Sequence, residues 1–219
     1  MLNEVIESLR GNKVVRYFVF CDLSLFSGWG LLAPIMSVFV VEHIAGASLF
    51  NAGAAASLYW AARCVVQLPI ADFLDKRKGE KDDFYILVIG LLLASLAAFS
   101  FSLVTTVREL YIVEVIQGIA FGLYAPAWSG IFSRHLDKDK VAFDWSMDGV
   151  GLGVASMIAG LTGGYLADTF GFNIVFYLAS LFSILSAVIV FSVPKIILPG
   201  ENKFNPPIIL DHTPRNTPN

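Results

Sequence analysis

Three ionisable side chains stand inside long apolar runs of this sequence: Asp22 in "YFVFCDLSLF", Arg63 in "LYWAARCVVQ" and Glu114 in "LYIVEVIQGIAF". Burying a charge in hydrocarbon costs several kcal/mol unless it is paired or wetted, so such residues mark buried ion pairs, proton relays or solute paths. At about 1.5 Å per helical residue, Asp22 and Arg63 each lie about 10 Å from the same end of their runs. They are therefore expected to face each other as a salt bridge. Glu114 lies nearer the opposite end and has no arginine on its own run. An unpaired carboxylate there can carry a proton, although Arg108 is close enough in sequence for Glu114 to be an ordinary interfacial acid, and both readings stay open. Gln117 adds an amide nearby. Tyr59, Trp60, Gln67, Gln117, Tyr124 and Trp128 suit either a polar cavity wall or aromatic packing and interfacial anchoring.

Other chemistries find little support. Ser129 in "AWSG" has the setting of an intramembrane nucleophile, but His43, His135 and His212 all fall outside the apolar runs, so no base is at hand to activate it. No phosphate-cradling glycine loop or Cys/His metal spacing occurs. Cys21 and Cys64 both fall in apolar runs and are expected as buried thiols. No enzymatic activity, cofactor or metal is expected. Asp144 and Asp148 read as acids at a helix start, where the helix dipole favours them.

The elements that must position these residues are six helix-length apolar runs, at about 17–41, 50–71, 84–104, 110–132, 147–167 and 173–193. Each approaches the roughly 20 residues needed to cross a bilayer. The 219-residue chain is 56% apolar and 15% charged, with a mean hydropathy of +0.69. Soluble domains carry about 25% charged residues. The net charge of −3 argues neither for nor against a charged partner, but the acids interleaved with Lys76, Arg77, Lys78 and Lys81 make that patch a poor nucleic-acid footprint, and no nucleic-acid partner is expected. The predicted organisation is a cytoplasmic leader over 1–13, a transmembrane domain over 14–193 and a proline-rich, disordered cytoplasmic tail over 194–219. No secretory signal peptide is expected. Thirteen of the 15 Lys and Arg residues precede the first run, follow the sixth, or lie in the second–third and fourth–fifth connections. The positive-inside rule then places both termini in the cytoplasm of a multi-pass plasma (inner) membrane protein. "SGWGLLAP" splits the first run, and within it Gly28, Trp29 and Gly30 make a thin place, suited to a close helix approach or a flexing gate.

Two short stretches repeat. "PIADFLDKRKGEKDD" follows the second run and "GYLADTFG" closes the fifth. With this orientation Asp72 ends its run at the cytoplasmic face and Asp168 ends its run at the outer face. Those runs are the middle members of the triplets 1–2–3 and 4–5–6. The same local sequence at equivalent ends on opposite sides is the mark of an inverted repeat, a device of transporters.

On these residues the sequence resembles the major facilitator superfamily of secondary transporters. In the family's signature, Gly-x-Leu-Ala-Asp-Arg-x-Gly-Arg-Arg/Lys, the aspartate is matched by Asp72, the alanine by Ala71 and the basic pair by Lys76 and Arg77. Leu68, Phe73 and Asp75 depart from its two glycines and its arginine. "GYLADTFG" keeps both glycines, Gly164 and Gly171, without the basic residues. "EVIQGIAFGLYAPA" is similar to the family's Arg-x-x-Gln-Gly stretch at Gln117 and Gly118, with Glu114 in place of the arginine. "AGLTGG" at 159–164 resembles its glycine-rich fifth helix. The resemblance implies an all-α integral membrane protein: six transmembrane helices in two inverted three-helix repeats, half of a full transporter. It further implies that Asp72, Lys76, Arg77 and Asp168 serve switching between states. Asp22, Arg63, Glu114 and Gln117 are the candidates for binding solute or ion.

A single six-helix half offers one wall of a cavity. The expected function is secondary transport of a small solute, with a proton as the possible coupling ion, after pairing with a second copy or a separate second half. The alternative is a membrane interaction or regulatory protein, or a vestigial half, that moves nothing.

Overall fold

The structure, a computed structural model, describes residues 12–77, 79–136 and 139–192. The expectations for the leader, the tail, Arg10, Lys78, Lys138, Lys195, Lys203 and Arg215 lie outside these residues. Seven helices follow one another: α1 Lys13–Leu32, α2 Met36–His43, α3 Leu49–Asp75, α4 Lys81–Phe101, α5 Val107–Arg134, α6 Val141–Phe170 and α7 Phe172–Phe191. Among the described residues there is no strand.

Local chemistry sets the helix ends. Asn12 caps α1, its side-chain oxygen accepting from the Val15 amide at 3.2 Å. Thr106 and Glu109 form a reciprocal capping box on α5: the Glu109 amide donates to Thr106 Oγ1 at 3.3 Å, and Glu109 Oε2 accepts from the Thr106 amide at 3.0 Å. Between α6 and α7 the chain turns on Gly171 alone, at φ +84°, a conformation that suits a residue without a Cβ.

The first run is split as its sequence indicates, into two helices broken at Ala33–Ile35 around Pro34, whose ring and missing amide hydrogen end α1. The Gly28–Gly30 segment stays helical and serves contact instead: a Cβ on Gly28 would lie 2.8 Å from Phe182 Cβ of α7, and one on Gly30 would lie 3.0 Å from Ala159 Cβ of α6. The second run forms the 27-residue α3 but is not among the five helices long and apolar enough to span a bilayer on composition alone: α1, α4, α5, α6 and α7. Asn51, Ser57, Arg63 and Gln67 dilute its hydropathy. Cys64 on this helix is exposed rather than buried, while Cys21 is buried as expected.

The helices pack as a row backed by a pair. α3 packs on α5 and α1 packs on α6, with a lighter α1–α5 contact joining the two; α4 backs α5, α7 backs α1, and α4 and α7 meet. Small residues let these helices close. Gly118 takes the backbone carbonyl of Tyr59 against its Cα, and Gly163 takes that of Leu31. Buried hydroxyls add cross-helix bonds: Ser24 Oγ donates to the Phe182 carbonyl and Ser186 Oγ to the Cys21 carbonyl, both at 2.9 Å. Aromatic rings fill the α1–α5 seam, with Phe18 against Trp128 at 6.1 Å and Trp29 against Phe121 at 5.3 Å between centroids. α4 and α7 turn exposed apolar stripes outward, including Tyr85, Ile89, Leu92 and Leu96 on the first and Leu181, Leu185 and Val188 on the second. α3 and α6 are the least buried of the long helices; on α3 only Ala55 and Leu74 are fully covered.

Candidate functional site

The Asp22–Arg63 salt bridge does not form. Depth along a helix does not fix azimuth, and α5 stands between the two: α3 packs on α5, and α5 meets α1. Arg63 instead turns along α3. Its Nη1 donates to Tyr59 Oη at 2.9 Å and its Nε to Gln67 Oε1 at 3.2 Å. Its guanidinium carbon lies 5.0 Å from the Trp60 ring centroid and 5.9 Å from that of Phe121 on α5, both within cation–π range. The close seating of Gly118 and Gly122 of α5 on the Tyr59–Val66 backbone fixes where Arg63 begins.

Glu114 is buried one turn before Gly118 and lies close enough to Tyr59 to act on it electrostatically. Gln117 is half-buried beside it. The structure thus groups Arg63 and Glu114 on the α3–α5 seam, with Tyr59, Gln67 and Trp60, while Gln117 stands one turn after Glu114 on α5. Tyr124 and Trp128 belong to the buried core.

Asp22 sits apart, buried on α1 with one carboxylate oxygen lacking a hydrogen-bond partner. Its charged neighbour is Asp148 of α6, near enough for the two to repel. This corrects the reading of Asp148 as a helix-start acid. α6 begins at Val141, so Asp144 occupies its first turn and Asp148 lies a further turn in, with both buried. Locating the true helix start would have revealed it. Two surface grooves, of about 520 and 380 Å³, lie on the α3–α5 and α1–α7 seams, and neither is lined by Asp22, Arg63, Glu114 or Gln117.

The signature residues pair locally. Lys76 reaches back one turn to Asp72 at 2.6 Å, both exposed, and Arg77 lies 3.5 Å from Asp82 and over the Phe73 ring. Asp168 is exposed. The ionic tie between helices at this end belongs to residues that were counted only as loop charges. Arg134, ending α5, meets Asp83 of α4 at 2.7 Å and Glu80 at 3.1 Å, and His135 Nδ1 lies 3.4 Å from Glu80. Burial pushes the Glu80 carboxyl above its ordinary range, opposed by His135 and Arg134.

Comparison with known proteins places this geometry. The sequence pattern of the Major Facilitator Superfamily matches residues 18–211. The chain is 23% identical over 158 residues to the proton-coupled antiporter flippase LtaA of Staphylococcus saprophyticus, a match covering 72% of this chain and 39% of the relative. It is 28% identical over 174 residues to an uncharacterized transporter of Buchnera aphidicola, covering 78% and 43%. The chain thus spans about two fifths of the length of these curated relatives. Among solved structures, a peptide transporter POT in complex with alafosfalin superposes with a TM-score of 0.69 at 18% identity, covering 84% of this chain and 39% of that one. The POT family transporter PepTSo superposes with a TM-score of 0.65 at 13% identity, covering 84% and 38%. The structural likeness carries the helical fold, and the sequence match over most of its length carries the family: this chain belongs to the Major Facilitator Superfamily.

Proposed function

We propose that the chain performs secondary transport of a small solute across a membrane, with two copies forming the transport unit. The carrying observation is the way the helix contacts map onto themselves. Exchanging α1 with α5, α3 with α6 and α4 with α7 turns the α1–α6 contact into α5–α3 and the α1–α7 contact into α5–α4, and returns α4–α7 to itself. That pattern supports two inverted repeats, 1–2–3 and 4–5–6, around a central path. The α6–α7 contact lacks an equally strong counterpart, in keeping with its single-residue turn. Asp22 lies eight residues before Gly30, and Glu114 eight before Gly122. Two buried carboxylates therefore occupy related positions on the central helices α1 and α5. Glu114 is the proposed proton carrier, a role supported by the proton coupling named for LtaA. Asp72, Lys76, Arg77 and Asp168 are proposed to act in switching between states, at opposite ends of the bundle.

The open side of the row α3–α5–α1–α6 is the proposed wall of the solute path. A second copy in the same orientation, turned by half a revolution about the membrane normal, presents its row in reverse order. The α3 of one copy then faces the α6 of the other. In a bilayer, native Cys64 and Met157→Cys should form a saturable intermolecular disulfide. In proteoliposomes carrying a pH-reporting dye, addition of a transported solute from a panel of sugars, amino acids, carboxylates and amines should drive proton movement that Glu114→Gln removes. A folded protein moving no member of the panel sinks the transport reading. Flux without the disulfide replaces the two-copy unit with a different partner half.

A further inference from the structure

Arg63 lies midway along α3, fourteen residues from Leu49 and twelve from Asp75, so roughly 18–21 Å of helix separates it from either end. A side chain cannot snorkel to the interface from that depth, and an arginine held there needs a counter-charge. Among the described residues Arg63 makes no ion pair, and only two of its N–H groups find acceptors, Tyr59 and Gln67. Of about five guanidinium donors, those on Nη2 and one on Nη1 are left over. Yet the group is held from several sides: by the Tyr59 hydroxyl, the Gln67 amide, the Trp60 and Phe121 faces, and a backbone clamped against Gly118 and Gly122. A fork so fixed, with its remaining donors free, is arranged as a receptor.

We propose that Arg63 binds the carboxylate of a small monoanionic solute, its free N–H pair forming a two-point contact while Tyr59 and Gln67 hold the guanidinium in orientation. The inference rests on the transport reading and narrows its solute to a class. Planar, delocalised guanidinium matches a carboxylate in geometry and charge. A dianion would need a second cation, and the other basic residues described on α3, α5 and α1 are Lys13, Arg16, Arg108 and Arg134, all near helix ends. Trp60, half-exposed beside the fork, suits the organic portion of such a solute.

The test uses the full chain in lipid nanodiscs, reading tryptophan fluorescence during titration with sodium acetate, propionate and lactate at constant ionic strength. Chloride, inorganic phosphate and methylammonium serve as comparisons, and Trp60→Phe identifies the reporting ring. Saturable carboxylate binding is expected, weakened about tenfold by Arg63→Lys, which keeps the charge but loses the fork, and abolished by Arg63→Gln. Tyr59→Phe should weaken binding several-fold while leaving the melting temperature near that of the wild type. No saturable response from a protein that melts normally, a response unchanged in Arg63→Gln, or tighter binding of phosphate or methylammonium overturns the proposal. Carboxylate binding without flux of any solute would overturn the transport reading and sustain the receptor. Flux of an uncharged or cationic solute alone would do the reverse.

Discussion

At the scale of single residues, charge in this protein is managed in two ways. At one end of the bundle, Arg134 answers Asp83 and Glu80 across the α4–α5 seam, with His135 alongside. Farther in, Arg63, Glu114, Asp22 and Asp148 stand without such answers. Removing Arg134 would leave Asp83, only 1% exposed, as a buried charge without a partner. Arg134→Ala should therefore cost about 2–3 kcal/mol, less than the loss of a fully buried pair because the arginine is partly solvated, as read by thermal unfolding in detergent. Glu80 adds a pH dependence. Its carboxyl is raised above the ordinary value of 4.5, so the folded protein holds this proton more tightly than the unfolded chain. That contribution to stability is complete below pH 4.5 and fades as pH rises through the raised value. The melting temperature of Glu80→Gln should not show this loss. A wild type and variant that melt in parallel from pH 4.5 to 7.5 would remove Glu80 as its source. The sequence made the intramembrane charges conspicuous, since each interrupts an apolar run. It could not pair them correctly, because the azimuth of Asp22 and Arg63 depends on which helix intervenes.

Helices are the scale at which the small residues matter. α5 meets α3 through Gly118 and Gly122, and the Cα of Gly90 on α4 approaches the backbone of α5 at Tyr124 and Ala120. In hydrocarbon, apolar side chains gain little by leaving lipid for one another, so close backbone approach and dispersion must hold helices together. Gly118→Ala would drive a Cβ into the Tyr59 carbonyl and should lower stability by about 1–3 kcal/mol. Gly160→Ala, with open space around it, should leave the melting temperature unchanged or slightly higher. Equal effects at the two positions would contradict this packing. The apolar runs announced the helices themselves, with ends shifted by a few residues. What the runs did not locate was the exact place of the break, at Pro34 rather than at Gly28–Gly30, and they hid the weak apolar character of α3, since a run can be long enough to span while scattered polar residues dilute it.

At the scale of the whole bundle, the basic residues described, Arg63 apart, sort mostly to one end. Lys13, Arg16, Lys76, Arg77, Lys81, Arg134 and Lys140 lie at the end where Asn12 donates to the His135 carbonyl and where Glu80 meets Arg134, while Arg108 lies at the other. With the first end cytoplasmic, a membrane-impermeant maleimide added outside intact cells should label Arg108→Cys and not Lys140→Cys, in a background lacking Cys64. Labelling of Lys140→Cys alone would invert the orientation. The proposed exchange relation was legible in outline: "IADF" and "LADT" matched the middle runs of the two triplets, and the helix contacts support the same pairing of α1 with α5, α3 with α6 and α4 with α7.

The modest hydropathy of α3 has a consequence for biosynthesis. Emerging from the ribosome with Arg63 at its centre, this segment gains little by entering lipid alone, and its glycine-bearing partner α5 is made about sixty residues later. Until α5 arrives, α3 has no groove to receive the Tyr59–Val66 backbone and no Phe121 face for the guanidinium. Its stable membrane residence is therefore a late event in assembly, contingent on a helix downstream, and a chain interrupted before α5 would leave α3 the first segment exposed to quality-control proteases.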